Sequence, residues 1–284
     1  VPRQFLEILS DSERRPFGQG SGRLDLANAI ADPENPLTAR VWVNRVWMHH
    51  FGEPLVEDPS DFGLRTQPPL QLELLDFMAM EFISSGFRTK SLHRLIMTSD
   101  AYQRTSLISQ SSKMEKQLQQ DPSNQYIWHA NRRRLDLEQM RDTLLSISGQ
   151  LDTTMFGRPL LIDDPKNRRR TVYSFVERQN LPNVVQIFDS ANADSSTARR
   201  PNTTVAQQAL FAMNSPFMEA ISESVEQRLD TNSPMEKTVL LYQLTLGRLP
   251  TPAEATLGLI YTTDHPWQDY AQILLMSNEL WFID

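Results

Sequence analysis

The chain has 284 residues, of which 39% are hydrophobic and 22% charged, so it can form a core, and extensive disorder is not expected. Its formal net charge of −7 argues against a general nucleic-acid-binding protein, because such proteins need a positive field to displace counterions from phosphates. It has no cysteine, which excludes disulfides, thiolate zinc sites, a cysteine nucleophile and a C-x-x-C-H haem attachment within the chain.

The two ends of the chain and its hydropathy bear on how it is organised. No run of 18 or more apolar residues occurs, so no membrane-spanning helix is predicted. The chain begins "VPRQFLEILS", without Met and without a signal-peptide pattern, and we therefore expect it to be a segment of a longer polypeptide. Residues 1–22, which include "GQGSG", are predicted to be an extended lead-in, and residues 23–284 a single helical module.

Helical periodicity dominates the first half of the chain. Ser21 is predicted to cap a helix that begins near Leu24. Asn35 and Pro36 then have the residue types of an N-cap and a first helical position, and the helix is expected to end at Phe51 before Gly52. A proline-rich loop, two further helices and a polar connection follow; the expected ranges are 53–69, 70–85, 90–105 and 109–125.

The second half contains one predicted strand among helices. A helix is expected over 134–148, and "RRTVYSFVER" at 169–178 alternates like a strand, with a neighbour near 160–162. Three capping boxes are predicted to open helices, at Thr204 with Gln207, Ser233 with Glu236, and Thr251 with Glu254. Two more helix starts, at Asn214-Ser215-Pro216 and Asp264-His265-Pro266, complete the pattern. The expected fold is mainly α, a multi-helix bundle-like domain with a minor β element.

The segment "ARVWVNRVWMHHFG" places polar residues among large apolar ones. Arg45 and His49 are four residues apart and therefore share a helix face, and Asn44 lies next to them. These residues could form a pocket wall or a buried network that ties the helix to a loop. We favour the network, with Asn44 and Arg45 as internal braces, because a buried unpaired amide costs about 1–3 kcal/mol. Candidate partners for the guanidinium follow in the acidic loop: Glu57, Asp58 and Asp61.

Metal-binding and common catalytic motifs are missing from the sequence. The five histidines form neither H-x-x-x-H nor H-E-x-x-H, so no metal site is predicted. There is also no G-x-S-x-G, P-loop or dinucleotide fingerprint.

Arginine clusters and one irregular polar stretch complete the candidate residues. The clusters at 132–134, 168–170 and 199–200 could bind an anion, or could pair with the acidic residues Asp136, Glu138, Asp142, Asp163 and Asp164. The stretch 175–204 is rich in polar residues, and in an enzyme Glu177 and Asp189 could act as acid and base. The full candidate polar cluster is Asn44, Arg45, His49, Arg133, Asp136, Glu177, Arg178, Asp189, Arg199, Arg200 and Asn202.

Several long blocks, in order, carry a family resemblance. They include "GSGRLDLANAIADPENPLTARVWVNRVWMHHFGEPLVEDPSDFG", "NRRRLDLEQMRDTLLSISGQLD", "RRTVYSFVER", "RRPNTTVAQQALFAMNSPF" and "LGRLPTPAE". With these blocks the chain resembles, over almost its whole length, a domain abundant in planctomycetes that is catalogued as domain of unknown function 1553. Asn44, Arg45, Arg133, Asp136 and Arg200 match the blocks of that domain, which implies no known role for them.

The resemblance implies a cellular location and neighbouring domains, but it does not imply a reaction. Such domains look like C-terminal parts of large exported proteins, often downstream of a planctomycete cytochrome c-type domain, so any haem is expected on an upstream domain and no cofactor in this chain. The resemblance implies a periplasmic or cell-surface location, and as partners the upstream domains, other envelope proteins or polysaccharide. We therefore expect a structural or interaction module. The alternatives are an enzyme acting on polysaccharide or another anionic substrate near residues 177–202, and a module that positions an electron-transfer partner.

Overall fold

The structure, a computed structural model, describes residues 2–10, 14–107 and 112–283. Helices account for most of the regular structure, and the described strands form one two-stranded sheet, which confirms the prediction of a mainly α fold with a minor β element. Two compact units divide the chain, one within residues 2–132 and one within residues 133–283. The organisation of 23–284 as a single helical module stays a prediction.

The N-terminal unit consists of short helices. A 3-10 turn at Glu7–Leu9 precedes α1 (Arg23–Ala31), α2 (Thr38–Phe51), α3 (Leu72–Ser84), α4 (Thr89–Met97) and α5 (Ser112–Gln120). Its core lies mainly between α2, α3 and α4, where a set of large side chains is almost completely buried: Val43, Trp47, Phe51, Leu75, Met78, Phe82, Leu92 and Ile96. The apolar positions of these helices recur every three or four residues, which places them on one face.

The ends of α2 follow local rules. Pro36 and Leu37 form a turn before the helix, so regular helix begins at Thr38, two residues later than predicted. Asn35 still acts as a cap for this turn, because its Oδ1 accepts a hydrogen bond from the Leu37 amide at 3.0 Å. Gly52 ends the helix as predicted, with φ of +81° and its N–H donating to the Met48 carbonyl at 2.8 Å.

Three predictions for the N-terminal unit are wrong, and the first is the helix expected over 90–105, which ends at Met97. Ser21 is not the N-cap of α1; Gly22 occupies that position in a left-handed conformation, with φ of +75°. The polar connection expected over 109–125 contains the helix α5, because its Lys, Met, Glu, Gln and Leu are strong helix formers whose propensity outweighs their exposure. Residues 109–111 of that connection lie outside the described residues.

The C-terminal unit begins and ends in its small sheet. Arg133–Arg134 (β1) pairs antiparallel with Phe282–Ile283 (β2), with Arg134 opposite Phe282. Between them lie α6 (Leu137–Ile147), a 3-10 turn (Thr171–Tyr173), α7 (Asn183–Ile187), α8 (Ala206–Asn214), α9 (Pro216–Gln227), α10 (Pro234–Leu246), α11 (Pro252–Asp264), α12 (Trp267–Leu275) and α13 (Asn278–Trp281). The core of this unit includes Leu144, Leu145, Met218, Val225, Leu241 and Leu275.

The strand predicted at 169–178 is wrong. The segment forms the Thr171–Tyr173 turn, and among the described residues its ladder-like contacts are two isolated bridges, Arg169 with Asp152 and Ser174 with Leu160, the second near the predicted neighbour. Side chains of α6 bond to the segment where a ladder would otherwise form: the Asp142 carboxylate accepts from the amide and hydroxyl of Thr171, each at 2.7 Å. These bonds from a distant helix occupy a backbone N–H that a sheet ladder would need, so they compete with sheet formation.

In the last third of the chain, the predicted helix starts are confirmed to within one residue, but some of their capping hydrogen bonds differ from those predicted. Thr251 and Glu254 form the full capping box, whereas Ser233 accepts from the Glu236 amide while the Glu236 carboxylate bonds to Thr231. The predicted box at Thr204 is wrong by one residue: α8 starts after Val205, whose amide donates to the Gln208 side chain at 3.3 Å. Val205 has no side-chain acceptor, so this start is capped from one side only.

None of the helices that the structure describes is both long enough and apolar enough to span a membrane.

Candidate functional site

Asn44 is the brace of the N-terminal unit. Its side chain is fully buried, at 0% exposure, on the face of α2 that also buries Val43 and Trp47. Its Oδ1 accepts hydrogen bonds from the amides of Leu55 (2.8 Å) and Val56 (2.9 Å), and its Nδ2 donates to the Val56 carbonyl (3.2 Å). The buried amide therefore ties α2 to the start of the 53–69 loop, as the network interpretation predicts.

Arg45 does not share this role, and the prediction that Arg45 is an internal brace is wrong. Its side chain is exposed, as is that of His49 on the same face. Successive helical residues are rotated by about 100°, so the residue after a buried Asn44 turns outward. The expected carboxylate partners are engaged locally: Asp61 pairs with Arg65 at 3.1 Å, and Asp58 accepts from the Ser60 amide at 2.9 Å.

In the C-terminal unit, Arg200 pairs with a carboxylate on α6, as the ion-pairing interpretation predicts. Its two terminal nitrogens donate to the two oxygens of Glu138 at 2.8 and 2.9 Å. Burial alone would raise the pKa of Glu138, but the hydrogen bonds and charge of Arg200 outweigh that effect and hold the pKa below its usual value. Asp136 lies directly before the first residue of α6. It accepts a hydrogen bond from the Gln139 amide at 2.8 Å and so caps the helix.

Asp189 is a structural acceptor in a left-handed backbone position, with φ of +53°. Its carboxylate accepts from the amide of Thr203 at 2.8 Å and from the Thr203 hydroxyl at 2.8 and 2.9 Å. Arg134 donates to the Thr203 carbonyl at 3.2 Å, and its guanidinium lies over the rings of Phe188 and Trp281. Burial lowers the pKa of Arg134, and the nearby charge of Asp189 opposes that shift. This corner is held together by its own polar groups.

The remaining candidate residues are spread over exposed backbone. Glu177, Arg178, Arg199 and Asn202 are all exposed. Arg133 is half-buried within β1, opposite Ile283. The pairing of Glu177 with Asp189 as acid and base stays a prediction.

A cleft of about 500 Å³ lies in the C-terminal unit, beside the start of α6. Of the candidate cluster, Asp136 and Arg200 line it. The other polar residues on its walls lie outside that candidate cluster, although Glu138, Asp142 and Arg170 were considered for ion pairing: Glu138, Gln139, Asp142, Arg170, Thr171, Ser174 and Ser190. The Ser190 hydroxyl is buried and makes no hydrogen bond among the described residues. The carboxylates of this cleft are already engaged, because Asp142 bonds to Thr171 and lies 3.7 Å from Arg170.

The sequence also failed to single out Arg141, which is only 4% exposed. It donates to the carbonyls of Arg169 (2.9 Å) and Asn167 (2.5 Å) and to the Thr171 hydroxyl (3.2 Å). A signal for its burial was present, because Arg141 follows Leu137 by four residues on the apolar stripe of α6.

Metal-binding groups do not gather in the described ranges. Within residues 2–10, 14–107 and 112–283, no three His, Cys, Asp or Glu side chains are placed to hold a metal ion. Two histidines do meet in the N-terminal unit, where His50 Nε2 lies 2.7 Å from His93 Nδ1. That distance is a hydrogen bond in which one ring donates and the other accepts.

Comparison with known proteins identifies the chain at the level of a family. No curated protein and no solved structure matches it. A family profile described as PSD1, protein of unknown function (DUF1553), matches residues 22–261. That range includes α1 to α10 and nearly all of α11. The chain therefore belongs to the DUF1553 family, as its ordered sequence blocks indicate.

Proposed function

We propose that this chain is a non-catalytic structural and interaction module of a larger exported protein. The observation that carries the proposal is that two central candidate groups, a buried amide and a carboxylate, bind the chain itself. The Asn44 amide bonds to Leu55 and Val56, and the Asp189 carboxylate to Thr203. A substrate would have to displace those bonds, and each polar group left unpaired costs about 1–3 kcal/mol.

The context of the module follows from the family resemblance. In this proposal the chain lies downstream of a cytochrome c-type domain in an envelope-located protein, and the haem is attached to that upstream domain. The module then contacts its own upstream domains, other envelope proteins or polysaccharide. Membership of the DUF1553 family supports this context without assigning a role to any residue.

The proposal is tested with the full-length protein in its own host. We expect cell fractionation to place the protein in the envelope, and haem absorbance to remain on it when residues 23–284 are deleted. The deletion should produce a defect in assembly or growth that the intact gene repairs. Loss of haem with the deletion would contradict the proposal.

A point variant distinguishes the module from an enzyme. Glu177 is exposed, so Glu177→Gln should leave folding intact. We expect a gene carrying Glu177→Gln to repair the deletion as well as the wild type does. If the variant folds and is exported but fails to repair the defect, Glu177 has a chemical role and the non-catalytic proposal is wrong.

The 500 Å³ cleft favours a second candidate, an enzyme acting on polysaccharide or another anionic substrate. Leu181, Pro182, Ser190 and Arg200, all within or next to the predicted stretch 177–202, contribute to its walls. The volume is within the range of small-ligand sites. An assay for new reducing ends, with neutral, uronate-containing and sulfated polysaccharides, tests this candidate. Release from one of them that stops with a cleft variant would support the enzyme, and no release from any would reject it.

A further inference from the structure

The C-terminal unit contains a second cavity, about 280 Å³ in volume, whose wall is more apolar than that of the 500 Å³ cleft. It lies among α6, the loop at 162–168, α7 and the corner between α8 and α9. Most of its wall is apolar, built from Leu137, Met140, Val184, Phe211, Phe217 and Ile221. An apolar cavity of about 150 Å³ is enough for benzene, so this cavity can hold a ring with a short chain, or an acyl chain of similar bulk.

Arg141 brings an unusual charge to that wall. Its guanidinium has five N–H donors, and three hydrogen bonds to the neutral oxygens of Arg169, Asn167 and Thr171 account for three of them. The Nε–H is buried and has no acceptor among the described residues. Its guanidinium also lies 5.8 Å from the centre of the Phe217 ring, on the cavity wall.

The positive charge of Arg141 is incompletely compensated. Neither Arg141 nor Arg168, which also lines the cavity, forms an ion pair in the part of the chain that the structure describes. Burial lowers the pKa of Arg141; the charge of Asp142 opposes this shift, and the charge of Arg168 adds to it. Buried charges in proteins are normally paired, so a cation in this position favours an anion beside it.

The acidic residues at this cavity do not cancel that preference. Asp163 is exposed, where water screens its charge. Asp164 is half-buried, and its carboxylate accepts from the Lys166 amide at 2.8 Å. The least exposed charge on the wall is therefore the guanidinium of Arg141.

We propose that this cavity binds a small carboxylate with an apolar body, an aryl- or acyl-carboxylic acid. The carboxylate lies beside Arg141 and Arg168, and the hydrocarbon part fills the apolar wall. The Nε–H of Arg141 is closed to solvent, so its side chain shifts slightly to accept the ligand. The inference concerns ligand binding and does not depend on the role of the module in the envelope.

The first test compares ligands that share a hydrocarbon body and carry either a carboxylate or a neutral hydroxyl group. Calorimetric titration of the 284-residue chain uses 3-phenylpropanoate and octanoate, with 3-phenylpropan-1-ol and octan-1-ol as neutral controls. We expect each carboxylate to bind at least about tenfold more tightly than its alcohol, because hydrogen bonds to charged groups are the stronger ones. Equal affinity of acid and alcohol, or no binding of the acids at millimolar concentration, would overturn the proposal.

The second test changes the charge and the volume of the wall separately. Arg168→Gln should weaken carboxylate binding several-fold, whereas Asp163→Asn, a matched change of opposite sign, should strengthen it or leave it unchanged. Ala220→Leu adds bulk to the wall from α9 and should abolish binding of both acids and alcohols. Circular dichroism and thermal unfolding establish that each variant is folded. Unchanged affinity in either Arg168→Gln or Ala220→Leu would show that the acids bind elsewhere.

Discussion

The side-chain amide of Asn44 hydrogen-bonds to both backbone groups of Val56. Its Oδ1 accepts from the Val56 amide at 2.9 Å, and its Nδ2 donates to the Val56 carbonyl at 3.2 Å. Val56 is itself buried, with 5% exposure, so water cannot easily replace these bonds. The side chain of a helix residue thus bonds to a loop residue as a neighbouring strand would, by accepting from its amide and donating to its carbonyl.

Removal of this amide should destabilise the N-terminal unit. Asn44→Ala leaves the amides of Leu55 and Val56 and the Val56 carbonyl without their partner, and we expect a loss of about 3 kcal/mol or more. Urea unfolding followed by tryptophan fluorescence measures the change, because Trp47 is buried in the same unit.

The adjacent residue provides the control for that measurement. Arg45 is exposed, so Arg45→Ala should change the free energy of unfolding by no more than about 0.5 kcal/mol. A large loss in Arg45→Ala, or a small one in Asn44→Ala, would contradict the assignment of Asn44 as the brace of α2.

The Arg248 cluster should make stability depend on acid pH. Arg248 donates to Glu254 of α11 through two bonds of 2.8 Å and to Glu279 of α13 at 2.5 and 2.7 Å. Hydrogen bonds from Arg248, then from the Thr251 amide, lower the pKa of Glu254 from 4.5 to about 2. Because the folded pKa lies below the usual value, the stabilisation is present above about pH 4.5 and is lost as the pH falls towards 2.

Thermal unfolding of Glu254→Gln checks this dependence. Glutamine can still accept from the Thr251 amide, so the variant removes mainly the charge. We expect the difference in Tm from the wild type to be largest near neutral pH and to shrink between pH 4.5 and 2. Glu223→Gln, a change at an exposed carboxylate of α9, should show a much smaller difference. A constant Tm difference across this pH range would rule out the charge as its cause.

Gly258 should not tolerate a side chain, although it lies in a helix. A methyl group there would lie 2.5 Å from the Tyr270 hydroxyl oxygen and 2.9 Å from two ring carbons. Gly→Ala at an open helix position stabilises by about 1 kcal/mol, whereas Gly258→Ala should destabilise by about 1–3 kcal/mol through overpacking.

A double-mutant cycle measured by chemical denaturation identifies the clash. In the Tyr270→Phe background the closest atom is gone, so Gly258→Ala should cost less than it does in the wild type. Leu257→Ala, at a neighbouring exposed position, controls for general effects on α11. An increase in stability on Gly258→Ala would show that Tyr270 moves away freely.

The contact between Asp189 and Thr203 should protect the segment that it closes. Asp189→Ala removes three hydrogen bonds and places alanine at a φ of +53°, so we expect several-fold faster tryptic cleavage after Arg199. Asp189→Asn keeps an acceptor and tolerates this backbone, so its effect should be smaller. Asp194→Ala, at an exposed position within the segment, should leave the rate unchanged. Equal rates in Asp189→Ala and the wild type would contradict a closing role for Asp189.

Features that depend on a few neighbouring residues were predictable. Ser215 and Thr251 cap their helices, and Gly52 ends its helix in a left-handed conformation. Each of these contacts lies within four residues along the chain, so the residue types alone decide it. The mainly α fold and the family followed from the sequence pattern as well, whereas α5 and α7 did not.

The candidate site was predictable only in part. The pairing of Arg200 with Glu138 was expected as a class of contact, but its bidentate form joins residues 62 positions apart. Arg141 and Arg45 both stand in apolar helices, yet Arg141 is buried and Arg45 exposed. Periodicity on α6 would have favoured burial of Arg141. On α2, apolar residues nearly surround the helix, so its composition favoured burial of Arg45 as well and did not reveal which side faces outward.

By itself, the sequence determined where helices with clear caps begin and end, which broad protein classes are excluded, and which family the chain belongs to. Only the tertiary structure decided that "RRTVYSFVER" becomes a turn held by Asp142, and that Asn44 rather than Arg45 is buried. The physical reason is the range of the interactions. Capping and propensity act within one helical turn, whereas burial and hydrogen-bond competition depend on segments that meet only when the chain folds.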